Sequence, residues 1–500
     1  MRDAGSRVAV RSTGMKNQEE PTGPAVGLGD VPPEIFRAQL HQLADWIADY
    51  REKIGDLPVA PNARPGSIRA ALPAQPPEEG ELFETIVADV DRLIVPGMVQ
   101  WGHPMFLGYF GWTTTAPGIL GEIMTAPLNV NAMTWRTSPA ATELETVVID
   151  WLRQWLHLSD KFDGVVYDTA SVAVMHALAV AREEAATSVR KLGLAGRTDV
   201  PRFRIYASDQ AHSSVEKAAI ALGLGEENVR RVPSDSEFRM DVDALRRMVA
   251  ADLAEKFKPL AAVATVGTTS TASVDPVPAI AQICREHQMW LHIDGAYGAG
   301  LALLPEHQWI TAGWNEADSI VINPHKMLFV PLDFSVLYVR DLERLRRVFT
   351  LVPEYLRGDT VEAEKNYMDY GIQLGRRFRA LKAWMVFRTF GRQGIAARIR
   401  DHLRLARLLA DWVESDDRFE LAGPVVMGVV CFRFVRTDPA RIDEANNAIV
   451  ERINASGRAY LTQTKLHGRG AMRVGLGNVL TTEEHLRNAW QLIQETAAKL

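Results

Sequence analysis

The sequence predicts an α/β fold built on a mostly parallel sheet with helices on both faces. Between about residues 139 and 345, short β-rich apolar runs alternate with amphipathic helical segments, a pattern typical of consecutive βα units. The chain has 500 residues, of which 47% are hydrophobic, so it can bury more than one core. We therefore expect two or three packed domains arranged around one large sheet.

The N-terminal part of the sequence predicts a tail followed by a helical arm. Residues 1–29 are rich in Gly, Pro, Ser and mixed charge without periodicity, which indicates a mobile tail. An amphipathic pattern from Pro32, PEIFRAQLHQLADWIADYREKI, predicts a helix, and the Pro-rich segment after it predicts an extended connection. Neither can bury an apolar face alone, so we expect residues 30–115 to wrap another domain or a second subunit.

The rest of the sequence predicts a large domain over residues 116–381 and a small α+β domain over residues 382–500. Ser138 and Pro139 mark a helix start, because serine favours the N-cap and proline the first helical position. The small domain carries a long helix, two strands and a final helix from Thr482. The candidate strands of the large domain are GVVY (from 164), RFRIYA (202), VRRV (229), AAVATV (261), MWLHI (289), SIVIN (319) and FSVLYV (334).

Composition favours a small-molecule ligand. The net charge of −6 provides no basic field for nucleic acid or an anionic membrane. The two cysteines, Cys284 and Cys431, form no CxxC pair, which fits a reducing compartment. The longest apolar runs are about half the length of a bilayer span, and the N-terminus has no hydrophobic signal core. These features predict a cytoplasmic protein that binds neither nucleic acid nor a membrane.

Lys326 lies between two apolar strands, in SIVINPHKMLFVPLDFSVLYV. Lysine is rarely buried unless it is paired or used chemically, because its ammonium group loses hydration. One interpretation is a lysine whose stem snorkels to the surface. The other is a desolvated amine kept for Schiff-base chemistry. This stretch alone does not decide between them.

Polar residues also follow other strands at their carboxyl ends, where ligands of parallel sheets bind. His212 follows RFRIYA, the threonines of ATVGTTS follow the next helix-connected strand, and Asp294 follows MWLHI directly. Each alone is explained as a cap, a turn or a packed residue. Together with Lys326 they match pyridoxal phosphate, which needs an amine, a carboxylate for its ring nitrogen and a group stacked on the ring. The helix after GVVY offers an N-terminus suited to the phosphate.

Two further local patterns bear on this hypothesis. Ser213 and Glu216 match an S-x-x-E capping box, which predicts a helix start that would hold His212 rigidly. His287, His292 and Asp294 match no common zinc spacing, so we expect no metal site. The sequence contains no P-loop and no G-x-S-x-G motif, and its G-x-G segments lack the third glycine of a dinucleotide fingerprint.

Six motifs, SPAATELE, SDQAHSSVEKAA, ATVGTTS, WLHIDGAYG, NPHK and QLGRRFRALKAW, occur in one order along the chain. Together they resemble the aromatic L-amino acid decarboxylases, within the pyridoxal-phosphate-dependent group II decarboxylases of fold type I. The resemblance covers about residues 32–500. It implies an obligate homodimer, with the helical arm crossing between subunits.

The resemblance also implies a role for each matching position. Lys326 would bind the cofactor covalently, Asp294 would face the pyridinium nitrogen, and His212 would stack on the ring and handle the substrate carboxylate. Gly375 would reach the phosphate from the second subunit. The other cofactor contacts would be Ala170, Ser171, Thr269, Ala296, Asn323 and His325.

For the reaction, the resemblance implies decarboxylation of an aromatic L-amino acid to its amine. Tyr355 matches a tyrosine of a mobile loop that protonates the carbanion after carbon dioxide leaves. Relatives that form aldehydes often replace this Tyr by Phe or the stacking His by Asn, whereas Tyr355 and His212 are both present here. An aldehyde synthase, a transaminase, a decarboxylase of a non-aromatic amino acid and a non-catalytic binding protein are the alternatives. The expected aromatic pocket is lined by Trp101, Tyr109, Phe110, Trp112 and Trp135.

The sequence differs from the family pattern at a few positions. Asp168 stands where the phosphate turn is usually small and rich in Ser or Gly, and its charge would repel a phosphate unless the side chain points away or caps a backbone group. Gly111 and Trp112 replace a usual Pro and Thr. Asn131 and Met133 replace more apolar or aromatic residues. The loop lacks a histidine that many animal members carry. These differences bear on the substrate rather than on the reaction.

Overall fold

The structure is a computed structural model, and it describes residues 29–111, 113–351 and 364–500. By contacts the chain divides into two compact units. The first comprises the described residues up to Asp56 together with Pro61–Met98, and the second comprises Leu57–Ala60 and Val99–Leu500. Within the described ranges, no helix combines the length and the apolar character that crossing a membrane requires.

The first unit is helical, as the amphipathic pattern predicted. Its helices are α1 (Pro33–Lys53), α2 (Ser67–Ala71) and α3 (Phe83–Asp89). Trp46 of α1 donates a hydrogen bond from Nε1 to Asp91 at 2.7 Å and stacks on Tyr50. Several large apolar side chains of this unit remain exposed, including Phe36 and Ile86. Their exposure agrees with the expectation that the arm cannot bury its apolar face by itself.

The second unit contains twelve α-helices within the described residues. They are α4 (Ala116–Leu128), α5 (Pro139–Trp155), α6 (Ala170–Ala185), α7 (Val189–Leu192), α8 (Ser214–Ala221), α9 (Val242–Ala254), α10 (Val277–His287), α11 (Pro324–Met327), α12 (Leu342–Phe349), α13 (Ala380–Glu414), α14 (Ile442–Ala455) and α15 (Glu483–Ala497). Helix α5 begins at Pro139, as predicted. Helix α15 begins after Thr482, whose hydroxyl accepts the His485 N–H.

The large sheet has seven strands, and all seven predicted strands are present. They are β1 (Asp163–Tyr167), β2 (Phe203–Ser208), β3 (Val229–Val232), β4 (Lys258–Thr265), β5 (Trp290–Asp294), β6 (Ser319–Ile322) and β7 (Ser335–Val339). Their order is β1-β7-β6-β5-β4-β2-β3. Strand β7 runs antiparallel to both neighbours, and the other neighbouring pairs are parallel. The prediction of a mostly parallel sheet is therefore confirmed.

A second, antiparallel sheet lies in the C-terminal part. Its strands are β8 (Phe419–Leu421), β9 (Val429–Phe434), β10 (Thr462–Leu466) and β11 (Arg469–Gly475), in the order β10-β11-β9-β8. The sequence predicted β9 and β11 and missed β8 and β10. Helices α13, α14 and α15 pack with this sheet around their own apolar core. Helix α13 breaks at Gly391, whose positive φ of 59° suits a residue without a Cβ.

Candidate active site

The strands that end at the candidate residues are neighbours in the large sheet. Strands β6, β5, β4 and β2 lie side by side in that order. Lys326 follows β6, Asp294 ends β5, Thr269 follows β4 and His212 follows β2. Because the four strands are parallel, their carboxyl ends meet at one edge. The structure therefore brings these four residues to the same edge of the sheet.

Lys326 lies in the single turn of α11, partly buried and close to aromatic and charged groups. Its Nζ is 4.8 Å from the centroid of the Phe110 ring. Burial lowers the pKa of Lys326 to about 8, Asp294 opposes that shift and Arg473 adds to it. An ammonium that has lost its water releases its proton more readily. Lys326 is thus not a surface lysine with a snorkelling stem, and a substantial fraction of its amine is neutral near pH 8.

Asp294 is buried at the end of β5, with 6% of its surface exposed. Its Oδ1 accepts a hydrogen bond from the Ala296 N–H at 3.1 Å, so Ala296 helps to fix the carboxylate. Asp294 also raises the pKa of Lys326 and of His212, the effect of a negative charge close to both. The Asp294 carboxylate is therefore close enough to Lys326 and His212 to influence the charge of both side chains.

His212 itself caps helix α8, and the predicted capping box is wrong. Its Nδ1 accepts a hydrogen bond from the Ser214 N–H at 3.1 Å. Ser213 has helical backbone angles and makes no side-chain cap, while Glu216 pairs with Arg231 at 2.8 Å. A capping box would instead join the Ser213 hydroxyl to the Glu216 N–H, three residues further along the chain. His212 is consequently held through Nδ1, which leaves the proton of the neutral ring on Nε2.

The charge state of His212 follows from its surroundings. Burial lowers the pKa of His212, Asp294 opposes the change and Lys326 reinforces it. The ring is therefore neutral at physiological pH. A neutral, oriented imidazole can face another ring and still donate a hydrogen bond from Nε2.

The first turn of α6 forms an uncapped helix N-terminus at the end of β1. Thr169 is the N-cap residue, and its side chain makes no capping hydrogen bond. Asp168 Oδ1 accepts the Thr169 N–H at 2.9 Å, so its carboxylate caps a backbone group. The amides of Ala170 and Ser171 begin the helix beyond it, where backbone N–H groups and the helix dipole favour an anion. Ala170 and Ser171 thus lie where a phosphate would bind.

The residues around Lys326 include an unpaired buried amide. Asn323 Oδ1 is buried and has no hydrogen-bond partner within the described part of the chain. His325 Nδ1 accepts the Phe334 N–H at 3.0 Å, which closes the loop after the lysine. Burial lowers the pKa of His325 to about 3, so this ring is neutral as well. Asn323 is therefore available to a ligand, whereas His325 shapes the lysine loop.

Arg473 of β11 is a site residue that the sequence analysis missed. Its guanidinium donates to the carbonyls of Ser270 at 2.9 Å, Thr269 at 3.1 Å and Tyr109 at 2.5 Å. The same group lies 4.7 Å from the centroid of the Phe110 ring. A buried arginine inside the apolar run AMRVGLGN was the only signal for it. Arg473 joins the turn after β4 to the segment that carries Phe110.

The predicted aromatic residues fall into two groups. Phe110 stacks on Tyr297 with ring centroids 4.0 Å apart and faces Lys326. Trp101 and Tyr109 stack on each other at 5.4 Å, and Phe106 and Tyr460 complete their cluster. Among the predicted pocket residues that the structure describes, Phe110 is the one whose ring faces the Lys326 amine. Trp112 lies outside the described residues.

Three further predicted residues complete the survey. Gly375 is exposed, and the backbone of the next residue, Arg376, is tied to Asn131 and Ala132 by hydrogen bonds of 2.9 Å each. Trp135 donates a hydrogen bond from Nε1 to the Glu143 carboxylate at 2.9 Å. Tyr355 lies outside the described residues. Within the described ranges, no group of three His, Cys, Asp or Glu side chains is arranged to hold a metal ion.

The donor set fits pyridoxal 5'-phosphate. A primary amine of lowered pKa, a buried carboxylate, an uncapped helix N-terminus and the unpaired Asn323 Oδ1 stand at one end of the large sheet. These are the groups that an aldehyde, a pyridinium nitrogen and a phosphate require. Residues 65–435 match the family described as the pyridoxal-dependent decarboxylase conserved domain.

The chain is also similar to named plant proteins over nearly its full length. It is 36% identical to tyrosine decarboxylase 1 of Narcissus pseudonarcissus, covering 96% of each chain. It is 35% identical to phenylacetaldehyde synthase of Arabidopsis thaliana, covering 95% of this chain and 96% of that protein. The crystal structure of Oryza sativa TDC with PLP and tryptamine superposes with a TM-score of 0.90 at 35% identity, covering 95% of this chain and 99% of that chain.

Proposed function

The chain belongs to the pyridoxal-dependent decarboxylase family, and from that premise we propose that it decarboxylates an aromatic L-amino acid to the corresponding amine and carbon dioxide. The observation that carries the proposal is the pairing of Lys326 with Asp294 at the ends of neighbouring strands. One is an amine whose pKa is lowered to about 8, and the other is a buried carboxylate within its electrostatic reach. That pair suits covalent capture of an aldehyde beside a protonated pyridine ring.

The bound cofactor would supply an electron sink for the electron pair of the bond between the substrate Cα and its carboxylate. Lys326 would hold the aldehyde carbon and release it to the incoming amino group. Asp294 would keep a proton on the ring nitrogen, because a carboxylate beside a pyridine favours its charged form. Ala170 and Ser171 would bind the phosphate with their N–H groups, with Thr269, Asn323, Ala296 and His325 as further contacts.

His212 and Tyr355 would handle the substrate end of the reaction. The neutral ring of His212, fixed by the Ser214 N–H, would stack on the cofactor and donate from Nε2 to the substrate carboxylate. Tyr355 would deliver the proton that replaces carbon dioxide on Cα, as the family resemblance implies. Lys326 would be the residue that holds the cofactor before and after each turnover, once the product amine has left.

The substrate class rests on the aromatic surroundings and on the relatives. Phe110, stacked on Tyr297 and facing Lys326, would contact the substrate ring. Trp101, Tyr109 and Trp112 remain proposed pocket residues, partly for the neighbouring subunit's site. Relatives with the names tyrosine decarboxylase and tryptophan decarboxylase support an aromatic amino acid. We propose tryptophan, tyrosine, phenylalanine or a hydroxylated phenylalanine as the substrate.

An aromatic aldehyde synthase is the second candidate, favoured by the 35% identity to phenylacetaldehyde synthase. That reaction also removes carbon dioxide, but it is an oxidative deamination: dioxygen takes up two electrons and leaves as hydrogen peroxide, and water supplies the oxygen of the aldehyde as ammonia is released. Tyr355 and His212 are the residues that argue for the amine. The two outcomes differ in products and are separated by the experiment below.

We propose a homodimer in the cytoplasm, with the domain division 1–29, 30–115, 116–381 and 382–500. Helix α4 exposes an apolar row that includes Leu120, Met124 and Leu128, and the first unit exposes apolar side chains of its own. Exposed apolar patches of this kind are typical of subunit interfaces. Gly375, exposed near Asn131, would contact the phosphate bound by the partner subunit. Two free, buried cysteines support a reducing compartment.

The test is a product analysis with a matched lysine variant. Purified protein loaded with pyridoxal 5'-phosphate is incubated with a mixture of common and hydroxylated aromatic amino acids, and products are identified by mass spectrometry. We expect one aromatic amine with an equal amount of carbon dioxide, and none from Lys326→Ala. Borohydride reduction followed by peptide mapping should place the cofactor on Lys326. An aldehyde with ammonia would establish the second candidate, and an unlabelled Lys326 would refute the assignment.

A further inference from the structure

Strand β5 carries a row of polar side chains that leads away from Asp294. Trp290, His292 and Asp294 alternate along the strand and so point to the same face of the sheet. In the register, Asp294 lies beside Thr265 of β4, and His292 lies beside Ser319 of β6. Partners in neighbouring parallel strands share a face, so these five side chains form one patch. His292 and Ser319 are fully buried.

Hydrogen bonds within the patch assign the proton of His292. Trp290 Nε1 donates to Ser319 Oγ at 2.8 Å, and Ser319 Oγ lies 2.8 Å from His292 Nδ1. An indole N–H can only donate, so Ser319 accepts from Trp290, and among the described contacts the acceptor left for the Ser319 hydroxyl hydrogen is His292 Nδ1. Nδ1 is therefore the acceptor. The hydrogen of the neutral imidazole is on Nε2.

The neutral state of His292 agrees with its environment. Burial lowers the pKa of His292 to about 4, and Asp294 opposes that shift. The ring is uncharged at physiological pH, yet it senses the charge of Asp294. His292 is thus a fixed dipole whose N–H end is at Nε2.

Two buried polar atoms of the patch have no hydrogen-bond partner among the residues that the structure describes. They are His292 Nε2 and Thr265 Oγ1. A buried N–H without an acceptor costs free energy comparable to a lost hydrogen bond, so native proteins supply a partner. Both atoms lie on the same face of the sheet as Asp294, and neither forms a direct hydrogen bond to its carboxylate. A site bordered by an N–H donor, a hydroxyl and a carboxylate suits one bridging water, which needs two to four polar partners.

We propose that His292 is a positioning residue for Asp294, whose carboxylate it holds from Nε2 through one buried water shared with Thr265. Trp290 and Ser319 orient the imidazole, Ala296 binds one carboxylate oxygen, and the bridge fixes the group from the other side. Asp294 is then held immobile where it would face the ring nitrogen of the cofactor. The inference rests on the proposed function, which gives Asp294 that role.

Two variants at His292 test the roles of its two ring nitrogens separately. His292→Asn keeps a polar atom at the δ position, which can still accept from Ser319, and removes the ε donor. His292→Gln keeps a donor at the ε position and loses the δ acceptor. Thr265→Val removes only the hydroxyl of the bridge. For each protein, the dissociation constant for pyridoxal 5'-phosphate and the absorbance spectrum of the loaded protein are measured, with thermal unfolding of the cofactor-free form as the folding control.

We expect His292→Asn to weaken cofactor binding by about tenfold, the effect of one hydrogen bond to a charged group, and to shift the absorbance maximum. His292→Gln should remain within about threefold of the unchanged protein, and Thr265→Val should fall between the two. Equal binding and identical spectra for His292→Asn and the unchanged protein would overturn the inference. So would equal losses for His292→Asn and His292→Gln with no effect of Thr265→Val.

The two hypotheses fail in different ways. The proposed function is wrong, and this inference with it, if the unchanged protein does not bind pyridoxal 5'-phosphate. The same holds if Lys326→Ala mixed with the cofactor has the same absorbance spectrum as the unchanged protein mixed with it. If the unchanged protein binds the cofactor through Lys326 and the His292 variants behave alike, only the positioning role is wrong. If His292→Asn unfolds in the cofactor-free form, Thr265→Val decides: its full affinity would exclude the bridge.

Discussion

The guanidinium of Arg473 donates a 2.5 Å hydrogen bond to the carbonyl of Tyr109, a residue 364 positions earlier in the chain. The same side chain binds two carbonyls of the turn after β4. Arg473 therefore connects three segments that lie far apart in sequence. Its positive charge also contributes to the lowered pKa of Lys326.

Replacing Arg473 should impair both binding and structure. Arg473→Met leaves three carbonyls without their donor and frees the segment that carries Phe110, so we expect kcat/KM to fall by about tenfold to a hundredfold and the free energy of unfolding to fall by about 2–4 kcal/mol. Steady-state kinetics and chemical denaturation measure the two effects. The matched control is Arg469→Met, an exposed arginine of the same strand. Equal behaviour of both variants would contradict the positioning role of Arg473.

The reactivity of Lys326 should rise with pH around its lowered pKa. In the cofactor-free protein, we expect the acylation rate of Lys326 to reach its half-maximum near pH 8, in contrast to Lys53, whose pKa is raised by Asp49. Competitive labelling followed by peptide mass spectrometry measures both rates. Asp294→Asn should move the Lys326 midpoint to lower pH, because Asp294 raises this pKa. A midpoint near that of an exposed lysine would refute the desolvation of Lys326.

The lowered pKa of Lys326 also makes its contribution to the free energy of unfolding depend on pH. Its pKa is lower in the folded protein than the ordinary value of 10.5. Between about pH 8 and 10.5 the unfolded chain binds more protons at this group, so the Lys326 contribution to the unfolding free energy rises with pH. Below pH 8 the cost of burying the ammonium is fully present. Denaturation of Lys326→Met across this range should show a weaker rise than the unchanged protein.

The hydrogen bond from the Thr169 N–H fixes the Asp168 carboxylate but does not remove its negative charge, which should still weaken the phosphate site. Asp168→Asn keeps an oxygen that can accept the Thr169 N–H and removes the negative charge beside the helix N-terminus. We expect cofactor affinity to rise by about three- to tenfold at low ionic strength, and the gain to shrink as salt screens the interaction. Equilibrium titration with pyridoxal 5'-phosphate measures it. Unchanged affinity at low salt would mean that the carboxylate lies too far from the phosphate to matter.

The exposed row on α4 should mediate dimerisation. Met124→Glu places a charge in the centre of the row, so we expect a shift from dimer to monomer together with a loss of activity. Analytical ultracentrifugation measures the mass. Ile220→Glu, at another exposed apolar residue on α8, is the control and should leave the mass unchanged. A monomeric unchanged protein, or a dimeric Met124→Glu variant, would count against this interface.

The large sheet could be predicted because each of its strands has a recognisable local sequence pattern. AAVATV and MWLHI are apolar runs bounded by polar turns, and their polar ends pointed to the site. Strands β8 and β10 were missed because β8 is only three residues long and β10, TQTKL, is largely polar on an exposed edge. Local sequence carries little signal for such strands, which form because a neighbouring strand offers hydrogen bonds.

Two site features depended on tertiary context. The predicted capping box at Ser213 is absent because Ser213 already has helical backbone angles, and the His212 ring, one residue earlier, accepts the Ser214 N–H. Arg473 was missed because its partners are carbonyls of distant segments, and carbonyl acceptors leave no trace in the sequence. The ends of parallel strands, in contrast, follow from chain order. The location of Lys326, Asp294 and His212 at one edge of the sheet could therefore be predicted from the sequence.

Arg473 also bears on when the site can form during synthesis. The ribosome releases the chain from its N-terminus, so Lys326, Asp294 and His212 emerge well before β11 does. Until then nothing can bind the carbonyls of Tyr109 and Thr269 as Arg473 does. A nascent chain that already displays the whole seven-stranded sheet would still lack an ordered pocket wall. Firm capture of the cofactor is thus expected only after β11 has left the exit tunnel.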